Sequence, residues 1–169
     1  MSARILVACA CVLVGLGAIV AVASTAGPPE GYFIYHGRDV RVDLPDDFRT
    51  SQEGARDIVI AVVGPQRDRV QIAAVPRRGR SLAAYERFTL ENVRNAAPDA
   101  QDVRREDTDV DGADEARRIS FHDPDRDRDV TMVIARDDDR FVTLSIDERA
   151  GSGALDVDTI EDSFALTSD

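Results

Sequence analysis

The apolar patterns along this chain predict an α+β fold: an antiparallel β-sheet of about six to eight strands packed by two helices, preceded by an N-terminal apolar helix. Three observations lead there. Short segments with a two-residue apolar period come in pairs separated by turn signals, one internal segment switches to the helical period, and a second short helical stretch lies near the end. Paired strands with helices set between and after them fit an antiparallel sheet rather than alternating strand-helix units.

The first element is the apolar helix. Ile5 to Ala23 contains nineteen residues without a charge, behind a start that carries only Arg4. At about 1.5 Å per residue it reaches about 28 Å, close to the roughly 30 Å of a bilayer's hydrocarbon layer. Two fates fit equally: a signal peptide cut after Ala21-Val22-Ala23, or a membrane anchor that is kept. Lipidation at Cys9, behind Leu6-Val7-Ala8, fits less well because most of the apolar run would follow the cut. All three place the remainder outside the cytoplasm, secreted or tethered to the outer face of the membrane. Residues 1–23 are therefore read as signal or anchor, 24–31 as a linker stiffened by Gly27-Pro28-Pro29, and 32–169 as one domain of a size that can bury its own core.

Strands then begin. Tyr32 to His36 and Val40 to Leu44 flank a turn, and Val40, Val42 and Leu44 share a face opposite Arg41 and Asp43, as in a half-buried antiparallel strand. Phe48 to Gly54 reads as loop. Ile58 to Val63 is apolar on both faces and rich in β-branched residues, which places it mid-sheet and covered on both sides. A turn at Gly64-Pro65 leads into Val70 to Val75. Ser81 is placed to cap a helix whose buried stripe is Leu82, Tyr85, Thr89, Val93 and Ala96, with Leu90 and Ala97 at its margin, and Pro98 stops it. Four more strands follow, Val103 to Val110, Ala116 to His122, Val130 to Arg136 and Phe141 to Ile146, with turns at Asp111-Gly112 and Asp137-Asp138-Asp139. A short helix capped by Asp156 buries Val157, Ile160 and Phe164.

Several of these residues resemble a known family. Gly37-x-x-Val40-x-Val42-x-Leu44-Pro45, the helix opened by Ser81-Leu82 with Tyr85, the Val110-Asp111-Gly112-Ala113 hairpin and the closing Ile160-x-x-Ser163-Phe164 look like the superfamily of the PsbP extrinsic photosystem protein and the Ran-binding nuclear import factor. Its bacterial branch includes exported lipoproteins of the LpqN type. The resemblance spans roughly residues 32 to 166 and speaks to fold more than to activity. It implies a PsbP-like, non-enzymatic accessory or binding domain on the far side of a membrane. This chain departs from the lipoproteins in lacking a well-placed lipobox.

Composition narrows the chemistry. The net charge is −11, Lys is absent, and Asp outnumbers Glu by 24 to 8. Every Arg-rich stretch is interleaved with Asp, which disfavours a nucleic-acid partner because phosphate binding needs a basic stripe. Cys9 and Cys11 both lie in the apolar segment, so the exported part forms no disulfide and no thiolate site. Its two histidines, His36 and His122, sit at strand ends beside turns, the setting of exposed or capping residues. No Gly-x-Ser-x-Gly elbow or Gly-rich phosphate loop occurs, so neither a catalytic residue nor a cofactor is expected.

Two functions stay open. The first is a non-catalytic, envelope-associated binding domain for a protein, lipid or glycan, with Tyr32, Phe33 and Tyr35 as candidate partner contacts or, equally, core contacts of the first strand. The second is a divalent-cation module. Asp107-Thr108-Asp109-Val110-Asp111-Gly112 matches positions one, three, five and six of the calcium loop, where alternate carboxylates converge on the ion. Position twelve is Arg118 in place of a bidentate Glu, and a polar strand entering an Asp-Gly turn accounts for the same residues. The run from Asp123 to Asp129 reads as a solvated loop whose charges neutralise one another.

Overall fold

The computed structural model describes residues 27–53 and 57–167. The apolar segment 5–23 and its expected helix lie outside them. Among the described residues no helix is long and apolar enough to cross a membrane.

β1 (Tyr32–Gly37) and β2 (Val40–Pro45) form the first hairpin. Its two turn residues, Arg38 and Asp39, both have left-handed φ of 50° and 60°, the geometry of a two-residue turn that matches strand twist. β10 (Ala165–Leu166) joins the free side of β2, so this pair makes a small three-stranded sheet of its own.

The large sheet has seven antiparallel strands: β3 (Arg49–Glu53), β4 (Ile58–Val63), β5 (Arg69–Pro76), β6 (Gln101–Thr108), β7 (Glu115–Asp123), β8 (Arg128–Arg136) and β9 (Arg140–Arg149). They lie side by side as β3-β4-β5-β9-β8-β7-β6. β3 corrects the expected loop at 48–54. With β3 outside it, β4 is second from the edge rather than central, although Val59, Ile60, Ala61 and Val62 are buried on both faces as its composition requires.

α1 (Leu82–Ala96) begins where Ser81 accepts a hydrogen bond from the Ala84 amide at 3.3 Å. Leu82, Thr89 and Val93 are buried; Ala96 is exposed, and Ala97, just past the last turn, is buried instead. α1 carries the chain from β5 to the far edge. The meander β6-β7-β8-β9 then returns strand by strand until β9 pairs with β5, so β9 and β8 lie between β5 and β7. α2 (Val157–Ser163), capped by Asp156 through the Thr159 amide, packs on the opposite face with the small sheet.

The large sheet therefore separates two cores. On one side Val42, Leu44, Ile160 and Phe164 meet Val70, Ile72, Leu144 and Ile146. On the other, Leu82 and Val93 meet Ile119, Phe121, Ile134 and Phe141. Gly112 locks the first core at its edge. Its φ is +78°, and a Cβ there would lie 1.9 Å from the Leu166 carbonyl oxygen, while Leu166 donates its amide to Asp111 at 2.8 Å. Gly112→Ala is expected to cost about 2 kcal/mol, from left-handed backbone strain together with displacement of β10, read as a lower urea midpoint with an unchanged slope.

Candidate functional site

α1 does not cover its side of the large sheet completely. Beside it runs an open cleft of about 340 Å³, within the size range of small-molecule sites. Its wall is Tyr85, Phe88, Thr89, Asn92, Val93 and Ala96 of α1; its floor comes from β5, β9, β8 and β7.

Strand register arranges the floor in rows. Ala73, Thr143 and Ile134 lie opposite one another across β5, β9 and β8. The next row is Gln71, Ser145 and Met132, reaching Ile119 on β7. Asp147, Val130 and Phe121 follow, and beyond them Arg128 faces Asp123. Rows on one face are two residues apart, about 6.7 Å, so the four rows span roughly 20 Å. The floor thus passes from uncharged side chains to a charged end.

The uncharged end is stiff. Tyr85 stacks on Phe141 with ring centroids 4.4 Å apart and planes 4° from parallel, and the Arg80 guanidinium lies 5.5 Å from the Tyr85 centroid. Thr143 is 7 % exposed, and its hydroxyl is shut off from solvent without a hydrogen-bond partner among the described residues. Phe88 stands at the mouth, 49 % exposed.

At the charged end each ion is paired. Arg128 donates through Nε to the Asp147 carboxylate, through Nη2 to the Asp147 carbonyl at 2.8 Å and the Arg67 carbonyl at 3.0 Å, and pairs with Asp68 at 3.4 Å. Asp68 is 2 % exposed and also accepts the Arg149 amide at 2.9 Å. Asp123, 3 % exposed, accepts from the Asp125 amide and from Arg126. The run from Asp123 to Asp129 is thus not simply a solvated loop: Asp123 is buried and Arg128 nearly so, because both line the floor.

The candidates named from sequence lie elsewhere. Tyr32 and Tyr35 pack against the core beneath the small sheet, while Phe33 faces solvent. His36 is exposed. His122 Nδ1 lies 2.9 Å from Asp129 on the α2 side of the sheet. Asp107 pairs with Arg117 and Asp111 bridges β10 through its backbone. Asp107, Asp109 and Asp111 line one cleft of about 310 Å³ at the β6–β7 turn, but among the described residues no cluster of three His, Cys, Asp or Glu side chains could hold a metal ion.

Next to His122 and Asp129, Glu148 occupies the same row on β9. Burial, with help from the Asp129 and Asp68 charges, pushes its carboxyl above the ordinary value of 4.5 despite the Leu155 amide and Arg128, and its Oε2 is buried without a hydrogen-bond partner among the described residues. A carboxyl raised in the folded state contributes stability below its unfolded value and loses it as pH rises through the folded value. Glu148→Gln is accordingly expected to raise unfolding free energy at neutral pH, with the gain over the native chain shrinking as pH falls through the raised value and gone below about 4.5; urea titrations at neutral pH and below 4.5 check it.

The fold has known counterparts. Cyanobacterial PsbP (CyanoP) from Synechocystis superposes with a TM-score of 0.60 over 93 % of this chain and 97 % of its own, at 13 % identity. LpqN of Mycobacterium tuberculosis, described as involved in cell envelope biogenesis, is similar with a TM-score of 0.45 over 81 % of this chain and 91 % of its own, at 16 % identity. No family model and no curated protein matches the sequence. The described chain has the α+β fold of PsbP, as its sequence resemblance implied.

Proposed function

We propose that this protein is a non-catalytic binding domain of the cell envelope, exported by residues 5–23 and held at the membrane by them if they are not removed, with residues 24–31 as spacer and 32–169 as the binding unit. The partner, a lipid, glycan or envelope protein, presents an apolar group to the cleft beside α1. What supports this most is the cleft itself: an open trough of about 340 Å³, walled by Phe88 and Val93 and floored by Val130, Met132 and Phe121. Apolar surface exposed in a concave site is costly to maintain and is repaid when a ligand covers it. The interleaving of Asp with Arg supports a partner other than nucleic acid.

An uncharged, environment-sensitive probe such as N-phenyl-1-naphthylamine is expected to brighten on titration with the protein. Ala96→Trp, at an exposed position of the cleft wall, should weaken that uptake by about tenfold or more by filling the trough. Phe33→Ala serves as the contrast: loss of uptake there, with none from Ala96→Trp, would move the site to the first strand. Absence of any brightening overturns the cleft as the site.

A further inference from the structure

We infer that the open edge of β1 pairs with β1 of a second copy of this chain, antiparallel and centred on Ile34, so that the two small sheets join into one. The cleft plays no part in this. Turn geometry fixes which peptide groups β1 offers. Gly37 and Val40 flank the two-residue turn and exchange hydrogen bonds, so Gly37, Tyr35 and Phe33 face β2, while His36, Ile34 and Tyr32 point to the open side. The Asp46 amide, donated to the Gly31 carbonyl at 2.9 Å, continues the same alternation.

β1 lacks what keeps an edge strand alone. The large sheet ends in β3 and β6, and each is broken by a bulge, between Thr50 and Gln52 in one and between Gln101 and Arg104 in the other. Both also carry charges, Arg49 and Glu53 on β3 and Arg104 to Asp107 on β6. Bulges and charges deter pairing with another chain. β1 has neither: it runs Tyr-Phe-Ile-Tyr-His-Gly in unbroken register with β2, without Pro, Asp, Glu, Lys or Arg.

The strand also complements itself, which selects a second copy as the occupant. Centred on Ile34, Phe33 of each copy lies opposite Tyr35 of the other, at the positions where no hydrogen bonds intervene and side chains approach most closely. Phe33, 37 % exposed, is thereby covered by an aromatic ring, and Tyr35 keeps its hydroxyl on the Val59 carbonyl. The two Ile34 residues exchange both their hydrogen bonds, and each His36 amide donates to the Tyr32 carbonyl across the seam; the Tyr32 amide is already given to the Pro29 carbonyl. At either end the same register brings the exposed Arg38 of one copy towards the exposed Glu30 of the other, opposite charges at both ends.

The test uses the full chain with Cys9→Ser and Cys11→Ser, and places a single cysteine on each of three edges: Ile34→Cys on β1, Thr50→Cys on β3 and Arg105→Cys on β6. A short bismaleimide is expected to link Ile34→Cys into a dimer about tenfold faster than the other two, because paired residues lie about 5.5 Å apart. All three keep the apolar segment, so equal linking of the three shows association by another route and overturns the pairing; absence of a linked dimer overturns it as well. His36→Cys, at an exposed position, reads the register without touching the core. Its two copies should sit about 14 Å apart, four residues along the paired strands, so a long bismaleimide links them and the short one does not. The reverse overturns the centre at Ile34. Phe33→Lys added to Ile34→Cys should slow linking about tenfold, with an unchanged thermal melt by circular dichroism. The net charge of −11 on each copy opposes approach, so linking of Ile34→Cys should rise several-fold between about 0.05 and 0.5 M salt. Repeated on intact cells, a linked product of any mass other than twice that of the chain identifies a foreign strand on β1 and overturns the second copy.

Discussion

Phe141→Ala is expected to lower the unfolding free energy by about 3–5 kcal/mol, the range for emptying an aromatic site in a well-packed core. Phe141 is wholly buried on β9, the middle strand of the seven, and fills the space beneath the start of α1 among Leu82, Ile119 and Ile134. Truncation removes the stack with Tyr85, and the flat strands around it cannot close the hole. For a domain of this size the melting temperature should fall by roughly 10 °C. Phe141→Leu should recover about half of that loss by restoring volume without the stack. Both variants also test the cleft, because Tyr85 is its wall and leans on Phe141: probe uptake should weaken in Phe141→Ala even at temperatures where the chain is folded.

Arg128→Met should be comparably damaging, about 3–5 kcal/mol, for a different reason. Methionine fills much the same space, so the loss is of charge rather than volume. Asp68, 2 % exposed, would then keep, among the described residues, the Arg149 amide as its remaining partner, and the two carbonyls at Arg67 and Asp147 would lose this donor. The distinguishing observation is the double variant with Asp68→Asn, which removes the stranded anion and should return a substantial part of the stability. If the single and double variants are equally unstable, the damage comes from the lost packing of the arginine stem and not from an unpaired charge.

The elements that bury apolar side chains were legible from sequence because burial leaves a period in the chain. β2 is legible from its alternation, β4 from its β-branched run, β8 and β9 from the Asp137-Asp138-Asp139 turn between them, and α1 from its stripe and its Ser81 cap. β3 was not, since Arg49 to Glu53 holds nothing apolar and pairs with β4 alone, across a bulge between Thr50 and Gln52; an edge strand without a buried face has no hydrophobic signature. β10 is two residues long. For β6 the expected span began at Val103 and ended at Val110, whereas the strand is Gln101–Thr108 and exposed along nearly all its length, so the valines misplaced it. The cleft was hidden for another reason. Phe141, Thr143, Ser145 and Asp147 alternate with Val142, Leu144 and Ile146, which shows that β9 has two unlike faces, but not that α1 leaves part of the more polar one open. The spacing of Asp107, Asp109 and Asp111 suggested an ion because sequence cannot see Arg117 arriving from the neighbouring strand.

β10 pairs with β2, so one of the first strands of the domain cannot acquire its second neighbour until nearly the last residues are in place. A chain emerging N-terminus first from the ribosome holds Val40 and Arg41 with unpaired peptide groups on that side, and the seam stays open until Ala165 and Leu166 follow. Closure of the small sheet therefore acts as a late zip, joining strands about 120 residues apart along the chain. Until then the open edge of β2 leaves the unfinished domain vulnerable to proteases.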